Sequence, residues 1–293
     1  PMIFATAAYF TRKKHKRSLG HIKLDAEHSV EVLALAPPLI YFAFIWWKAT
    51  LTLFDAGVLT FFYAVYLFIL NPIPPQSEES VEEMERIPKT ILSFRPAVRN
   101  ATIVGLFLTG GLILYLVAHP FLDSMLALAI SMGFSQFIFV QWVAPFLSEF
   151  PEKVSAFYWA RKIHSAPMAL MNMVSSNINQ WTMLVAMLPL VFSFGHGEVA
   201  IIEFDEYQRS EILLTLAQSL LGMFILVNMR FHWYEALTLF LLWLVQFVFA
   251  NIREIITFVY LGWTGIQIIR LLGRGRLKDS AFSVFPRLIV KHW

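Results

Sequence analysis

Long runs without a charged residue dominate this chain and restrict the folds that it can adopt. Residues 125–146, for example, contain no Asp, Glu, Lys or Arg. About 20 apolar residues are enough to cross the hydrocarbon core of a bilayer as a helix. Lipid offers the backbone no hydrogen-bond partners, so runs of this kind indicate α-helices. Only 15% of the residues are charged, against about 25% in soluble domains. The chain is therefore predicted to be a polytopic membrane protein.

The apolar runs predict about eight transmembrane helices. They are Val30–Trp47, Leu51–Leu70, Ala101–Ala118, Met125–Trp159, Ala166–Phe194, Glu211–Met229, Tyr234–Ala250 and Ile255–Leu272. Lys and Arg concentrate in alternate loops, whereas the opposite loops include the acidic segment 198–206. Because cytoplasmic loops carry the excess of Lys and Arg, both termini are predicted to be cytoplasmic. We expect the membrane to be a prokaryotic inner (cytoplasmic) membrane.

The first residues do not have the order of a signal peptide. The apolar residues 1–10 precede the basic run 11–17, whereas a signal peptide has its charges before its apolar core. The order is typical of a spanning helix that leaves the membrane on the cytoplasmic side. We expect either that the chain continues upstream or that an initiator methionine was removed.

Prolines and acidic residues mark one clear linker, residues 71–85. This composition favours an exposed, mostly irregular segment. The sequence thus predicts four parts, which are a basic N-terminal segment with two spans (1–70), a cytoplasmic linker (71–99), a transmembrane bundle (100–273) and a basic C-terminal tail (274–293).

The segment Ala144–Lys153 places two carboxylates and two prolines at the end of an apolar run. A carboxylate within a span is costly and by default indicates an ion or proton pathway. Proline interrupts the helical ladder and frees carbonyl oxygens that can face a cation. Glu149 and Glu152, three residues apart, can share a helix face, with the hydroxyl of Ser148 beside them. The alternative is a solvated helix end, where Glu152 pairs with a neighbouring basic residue.

Seven amide and hydroxyl side chains lie close together in the next apolar span. They are Asn172, Ser175, Ser176, Asn177, Asn179, Gln180 and Thr182. Hydrogen bonding between helices is the ordinary use of such groups in lipid. The number of polar groups exceeds what packing usually needs, so the run also indicates a broken helix that lines a pathway with neutral oxygen ligands.

Together, the two segments resemble the second repeat of the calcium/cation antiporter superfamily, the sodium/calcium exchangers and their relatives. The family pattern on the first helix is Gly-Thr-Ser-x-Pro-Glu. The pair Pro151-Glu152 matches it, Ser148 takes the place of the threonine, and Glu149 replaces the serine.

The second helix of the family reads Gly-Asn-x-x-Gly-Ser-Asn-x-x-Asn. Asn172, Ser176 and Asn177 match this pattern. Ser175 replaces the second glycine and Gln180 takes the place of the last asparagine. Beyond the motifs, the spans of 30–70 resemble the family's fourth and fifth helices and those of 101–250 its sixth to tenth, which leaves 255–272 as an addition.

The resemblance implies an all-α exchanger-like fold with two broken central helices, which exchanges calcium or a similar cation for sodium or protons by alternating access. Glu152 would be the main metal-binding carboxylate, and Ser148, Asn177 and Ser176 would supply neutral ligands. Glu149 and Gln180 stand at ligand positions but depart from the family. Calcium and sodium would be transported substrates, and no covalent cofactor is expected.

The family also has a first repeat with its own Pro-Glu pair, and no such pair precedes residue 145 here. The chain is therefore expected to hold half of a transport site. Its expected partners are the lipid bilayer, the transported cation, and either a first-repeat half (upstream sequence or a separate chain) or other membrane subunits.

Four other acids have simpler interpretations. Asp55 and Asp123 stand where helices are expected to start and are typical of N-terminal caps. Glu27 and Glu31 share a face at the start of the first span, where an interface is more common than a ligand pair.

Two alternatives to transport remain open on sequence. The chain could be a structural or accessory subunit of a larger membrane complex, exchanger-like in fold but without transport. A membrane-embedded enzyme is the weaker alternative, because no nucleophile–base set is visible and cysteine is absent. We expect no enzymatic activity. Nucleic acid is not an expected partner either, because no basic stripe with interleaved aromatic residues lies outside the apolar segments.

Overall fold

A computed structural model describes residues 1–73, 86–133, 148–273 and 276–292. Contacts divide the chain into two compact units. One unit joins residues 1–76 to residues 154–293, and the other consists of residues 77–153. The division predicted from the sequence, with 100–273 as one bundle, stays a prediction.

Helices account for nearly all regular structure. In chain order they are α1 (Met2–His15), α2 (Ser29–Ala34), α3 (Ala36–Lys48), α4 (Leu53–Leu70), α5 (Arg86–Leu92), α6 (Pro96–Ser131), α7 (Phe150–Arg161), α8 (Ala166–Asn179), α9 (Val185–His196), α10 (Glu206–Leu226), α11 (Trp233–Val248), α12 (Arg253–Leu272) and α13 (Ala281–His292). Short 3-10 turns precede α2, α8, α12 and α13, and a π-helical turn, Gln180–Leu184, joins α8 to α9.

Six continuous helical segments within the described residues are long and apolar enough to cross a membrane. They are Ala26–Lys48, Leu53–Leu70, Pro96–Ser131, Ala166–His196, Glu206–Leu226 and Arg253–Leu272, and the apolar helix α11 is shorter. The all-α membrane fold predicted from the sequence is confirmed. Part of the predicted span Met125–Trp159 lies outside the described residues.

Helix α6 is longer than the sequence predicted, because it continues through the polar residues that suggested a loop near residue 120. His119 and Asp123 pair across one turn of the helix at 2.9 Å. The Ser124 hydroxyl donates to the carbonyl of Pro120 at 2.7 Å. These local bonds satisfy the polar groups while the helix persists. Residues 86–92 are helical and α6 begins at Pro96, whereas most of the predicted irregular linker 71–85 lies outside the described residues.

Two short antiparallel strand pairs tie the larger unit together. Strand β1 (His21–Lys23) pairs with β4 (Arg230–His232), and β2 (Thr50–Leu51) pairs with β3 (Ile202–Glu203). Because β1 precedes α2 and α3 while β4 follows α10, the two helical segments run in opposite directions. The pairing of β2 with β3 fixes their other ends in the same way.

The larger unit repeats one order of elements. Helix, strand, helix, strand and helix follow one another from α1 to α4 and again from α8 to α11. A left-handed residue precedes the second strand of each series, Ala49 at φ 57° and Met229 at φ 58°. After that strand, a capping box closed by a buried carboxylate starts each helix, with Asp55 in α4 and Glu235 in α11. The two halves therefore share local details as well as topology.

Candidate ion-binding site

The Pro-Glu motif lies where a helix begins. Glu149 forms a turn, and α7 starts at Phe150, so that Pro151 is in the first turn of the helix. Proline is tolerated there because the first N–H groups of a helix have no partner within the helix. The predicted break is thus present at Glu149. The second predicted break, at Pro145, falls outside the described residues.

Lys153 forms an ion pair with Glu149. Its ammonium donates to the carboxylate of Glu149 at 2.7 Å, and the two side chains are one helical turn apart and partly exposed. Glu152 is half-buried and makes no ion pair with any described residue. The neighbouring lysine therefore does not neutralise Glu152, and the solvated pairing of Glu152 expected as an alternative is not formed.

A π-helical turn interrupts the polar span. Helix α8 ends at Asn179, the turn covers Gln180–Leu184, and α9 follows directly. A π turn widens the helix locally, and such turns are frequent at functional sites. Thr182, at 0% exposure, donates its hydroxyl to the carbonyl of Ile178. The sequence predicted a break in this span. In the structure, the break is a helical turn that contains one extra residue.

The predicted neutral ligands lie just before and at this turn. Ser176, Asn177 and Gln180 are half-buried. The side-chain oxygen of Asn177 is buried and has no hydrogen-bond partner within the described residues. An unpaired amide oxygen of this kind costs free energy unless it meets a donor or a cation. Asn177 and Gln180, three residues apart, share one helix face.

The predicted ligands fall into two sets. Ser148, Glu149 and Glu152 lie in the unit of residues 77–153, and the set of Ser176, Asn177 and Gln180 lies in the larger unit. Within each set, the residues are neighbours along one helix or its starting turn. Across the part of the chain that the structure describes, no group of three or more His, Asp or Glu residues is arranged to hold a metal ion.

A cavity of about 380 Å³ lies in the larger unit, at the start of the first span. Its polar lining consists of Glu27, His28, Glu31, Tyr66, Asn172 and Ser175. The hydroxyl groups of Tyr66 and Ser175 are 3.1 Å apart and join α4 to α8. The sequence interpretation took the two glutamates for an interface and did not consider the histidine. The sequence did contain a signal for this site, because three titratable residues fall within the five positions 27–31 at the start of an apolar span.

Helices that are long and apolar enough to cross a membrane define this chain as an all-α integral membrane protein. A sequence model of the family described as "Sodium/calcium exchanger protein" matches residues 102–251. Because that range is more than half of the chain and includes both motif segments, the chain belongs to the sodium/calcium exchanger family, as the resemblance predicted.

One solved structure supports the same assignment. The crystal structure of the H⁺/Ca²⁺ exchanger CAX superposes with a TM-score of 0.83 at 27% sequence identity. The match covers 99% of this chain and 74% of that one. No curated protein that we compared with the chain matches it.

Proposed function

We propose that this chain carries out cation antiport, in which calcium or a similar divalent cation is exchanged for protons or sodium ions. Membership of the exchanger family and the likeness to an H⁺/Ca²⁺ exchanger support this function. The main structural observation in support of this function is the environment of Glu152. This carboxylate stands half-buried at a helix start, and the adjacent lysine is bound to Glu149 instead.

In the proposed site, Glu152 supplies the main charge to the ion, and Ser148 adds a hydroxyl oxygen. Hard cations such as Ca²⁺ prefer six to eight oxygen ligands, and the side chains of Ser176, Asn177 and Gln180 offer neutral oxygens of the kind that such an ion takes. Glu149, held by its lysine, would tune the charge of the site. Ions and counter-ions are transported, so none is a resident cofactor.

We propose to test this function with calcium-45 uptake into vesicles that contain the purified protein, wild type against Glu152→Gln. One unit charge at about 4 Å from a cation contributes about 4 kcal/mol at an effective dielectric constant of about 20. Uptake by the variant is therefore expected to fall by about 100-fold or more.

Glu198→Gln is the matched control, because Glu198 is an exposed glutamate outside the site, and its uptake is expected to equal wild type. Equal uptake by the wild type and Glu152→Gln would contradict the role of Glu152. No uptake by the wild type, together with stable association with other membrane subunits, would instead support an accessory role.

A further inference from the structure

His28 is a buried imidazole without a hydrogen bond. Its side chain is 3% exposed and lines the cavity at the start of the first span. Neither ring nitrogen has a hydrogen-bond partner within the described residues. Buried polar atoms in native proteins nearly always have partners, so a ring with two unpartnered nitrogens needs a functional or structural reason.

Carboxylates flank the ring on both sides. Nε2 is 3.9 Å from Asp25 and 4.0 Å from Glu27, and Nδ1 is 3.9 Å from Glu31. A neutral imidazole has one N–H donor and one acceptor nitrogen, whereas the protonated ring has two donors. With acceptors on both sides, only the protonated ring can donate to a carboxylate from each nitrogen.

The carboxylates on the two sides of His28 differ in their exposure to solvent. The side chain of Asp25 is 43% exposed, and that of Glu31 is 13% exposed. One oxygen of Glu31 is buried without a hydrogen-bond partner in the described structure, as is the amide nitrogen of Asn172 in the same cavity. The groups therefore lead from solvent, past a buried histidine, to a polar cavity.

The other elements that pack against His28 add no competing charge. Helix α4 contributes the phenol of Tyr66 to the cavity, and α8 contributes neutral groups. Helix α3 carries Tyr41 and Lys48, and both of these bind Asp55 instead. Helix α10 packs against α2, and it has no titratable residue between Glu211 and its end.

Helix α13 also packs beside this turn. It presents the buried side chains of Ala281 and Leu288, its Arg287 and Lys291 are exposed, and its His292 is half-buried. Within the described residues, the charged groups that lie within 4.0 Å of the imidazole nitrogens are the three carboxylates of its own segment.

We propose that His28 binds and passes on the proton that the transport cycle exchanges. This inference rests on the proposed cation antiport and identifies a proton as its counter-ion. A proton from bulk water reaches Asp25 and forms an N–H bond at Nε2, and the N–H bond at Nδ1 then breaks as the proton moves to Glu31. Because the pairs are beyond direct hydrogen-bond distance, each transfer needs a side-chain rotation or one bridging water molecule.

The test compares calcium-45 uptake into vesicles between pH 6 and pH 8 for the wild type, His28→Asn and Glu31→Gln. Histidine changes charge in this range, and couplings between two binding sites typically change affinity by about 5- to 150-fold. The wild-type apparent affinity for calcium is expected to change by about tenfold over this range. Both variants are expected to change by less than about twofold, since one lacks the proton carrier and the other its acceptor.

His119→Asn is the matched control, because this histidine is exposed and already paired with Asp123, and it is expected to keep the wild-type pH dependence. Uptake by both variants with unchanged pH dependence would overturn the role of His28 and leave the antiport intact. If the wild type shows no uptake, the antiport fails.

In that case, nitrogen-15 spectra of the histidines test the role of His28. The expected result is that one titrating resonance is lost in His28→Asn and is shifted in Glu31→Gln. A wild-type titration curve in Glu31→Gln would contradict that role.

Discussion

Asp55 is a fully buried carboxylate whose charge is met by several donors. It accepts hydrogen bonds from the Tyr41 hydroxyl at 2.7 Å and from the backbone N–H of Thr52 at 2.7 Å, and Lys48 forms an ion pair with it. Thr52 is the N-cap of α4, and Asp55 closes the capping box from the third position. The sequence predicted a capping role but assigned it to the wrong position in the cap. For Asp123 the prediction was wrong, because it lies inside α6.

We predict that Asp55→Ala strongly destabilises the protein. Removing one partner of a buried ion pair typically costs about 3–5 kcal/mol, because the remaining charge is left without compensation. Unfolding in mixed detergent micelles measures the change. Asp123→Ala is the control, since the side chains of Asp123 and His119 are 66% and 86% exposed and such pairs contribute about 0–1 kcal/mol. Equal losses for the two variants would contradict the buried-charge argument.

The boundaries of the helices depend on a few residues that the apolar pattern does not reveal. Ala49 ends α3 with φ 57° and ψ 24°, a left-handed conformation that then leads into β2. An L-residue with a Cβ is disfavoured there by roughly 1–2 kcal/mol. The contacts of the adjacent strand pair and capping box hold the alanine in this conformation.

We therefore expect Ala49→Gly to stabilise the fold by about 1 kcal/mol, because glycine adopts this conformation without the Cβ clash. The same substitution at Ala101, an exposed position inside α6, is expected to destabilise by about 1 kcal/mol through lost helix propensity. Unfolding in mixed micelles distinguishes the two, and effects of the same sign would refute the assignment of the left-handed turn.

Tertiary contacts also satisfy polar groups inside the apolar helices. The amide of Gln218 in α10 donates to Gln246 in α11 at 2.8 Å, and Arg253 in α12 binds Glu211 in α10 at 2.6 Å. In lipid such groups need internal partners. The sequence does not reveal which of these residues pair.

At the scale of the whole molecule, the alternation of basic and acidic loops predicts which loops share a side of the membrane. The absence of cysteine makes this prediction testable without background. In intact cells, a membrane-impermeant maleimide is expected to label Glu198→Cys but not Arg17→Cys, both of which are exposed positions. Arg17→Cys is expected to react after permeabilisation. The reverse pattern in intact cells would invert the proposed topology and contradict cytoplasmic termini.

The sequence by itself determined the class of the protein, the positions of most spans and the family, because these depend on local composition and on motifs within single helices. An apolar run of sufficient length must form a helix in lipid, whatever its neighbours are. Glu152 and Asn177 were proposed as ligands in this way and stay predictions, and the same span was predicted to break where the structure has the π turn Gln180–Leu184.

Only the tertiary structure decided which side chains meet. The pairing of Gln218 with Gln246 depends on how α10 packs against α11. The cavity around His28 joins residues that are more than 100 positions apart, such as Glu31 and Ser175. Charge balance and burial are properties of the space between elements, so no pattern within one segment reveals them.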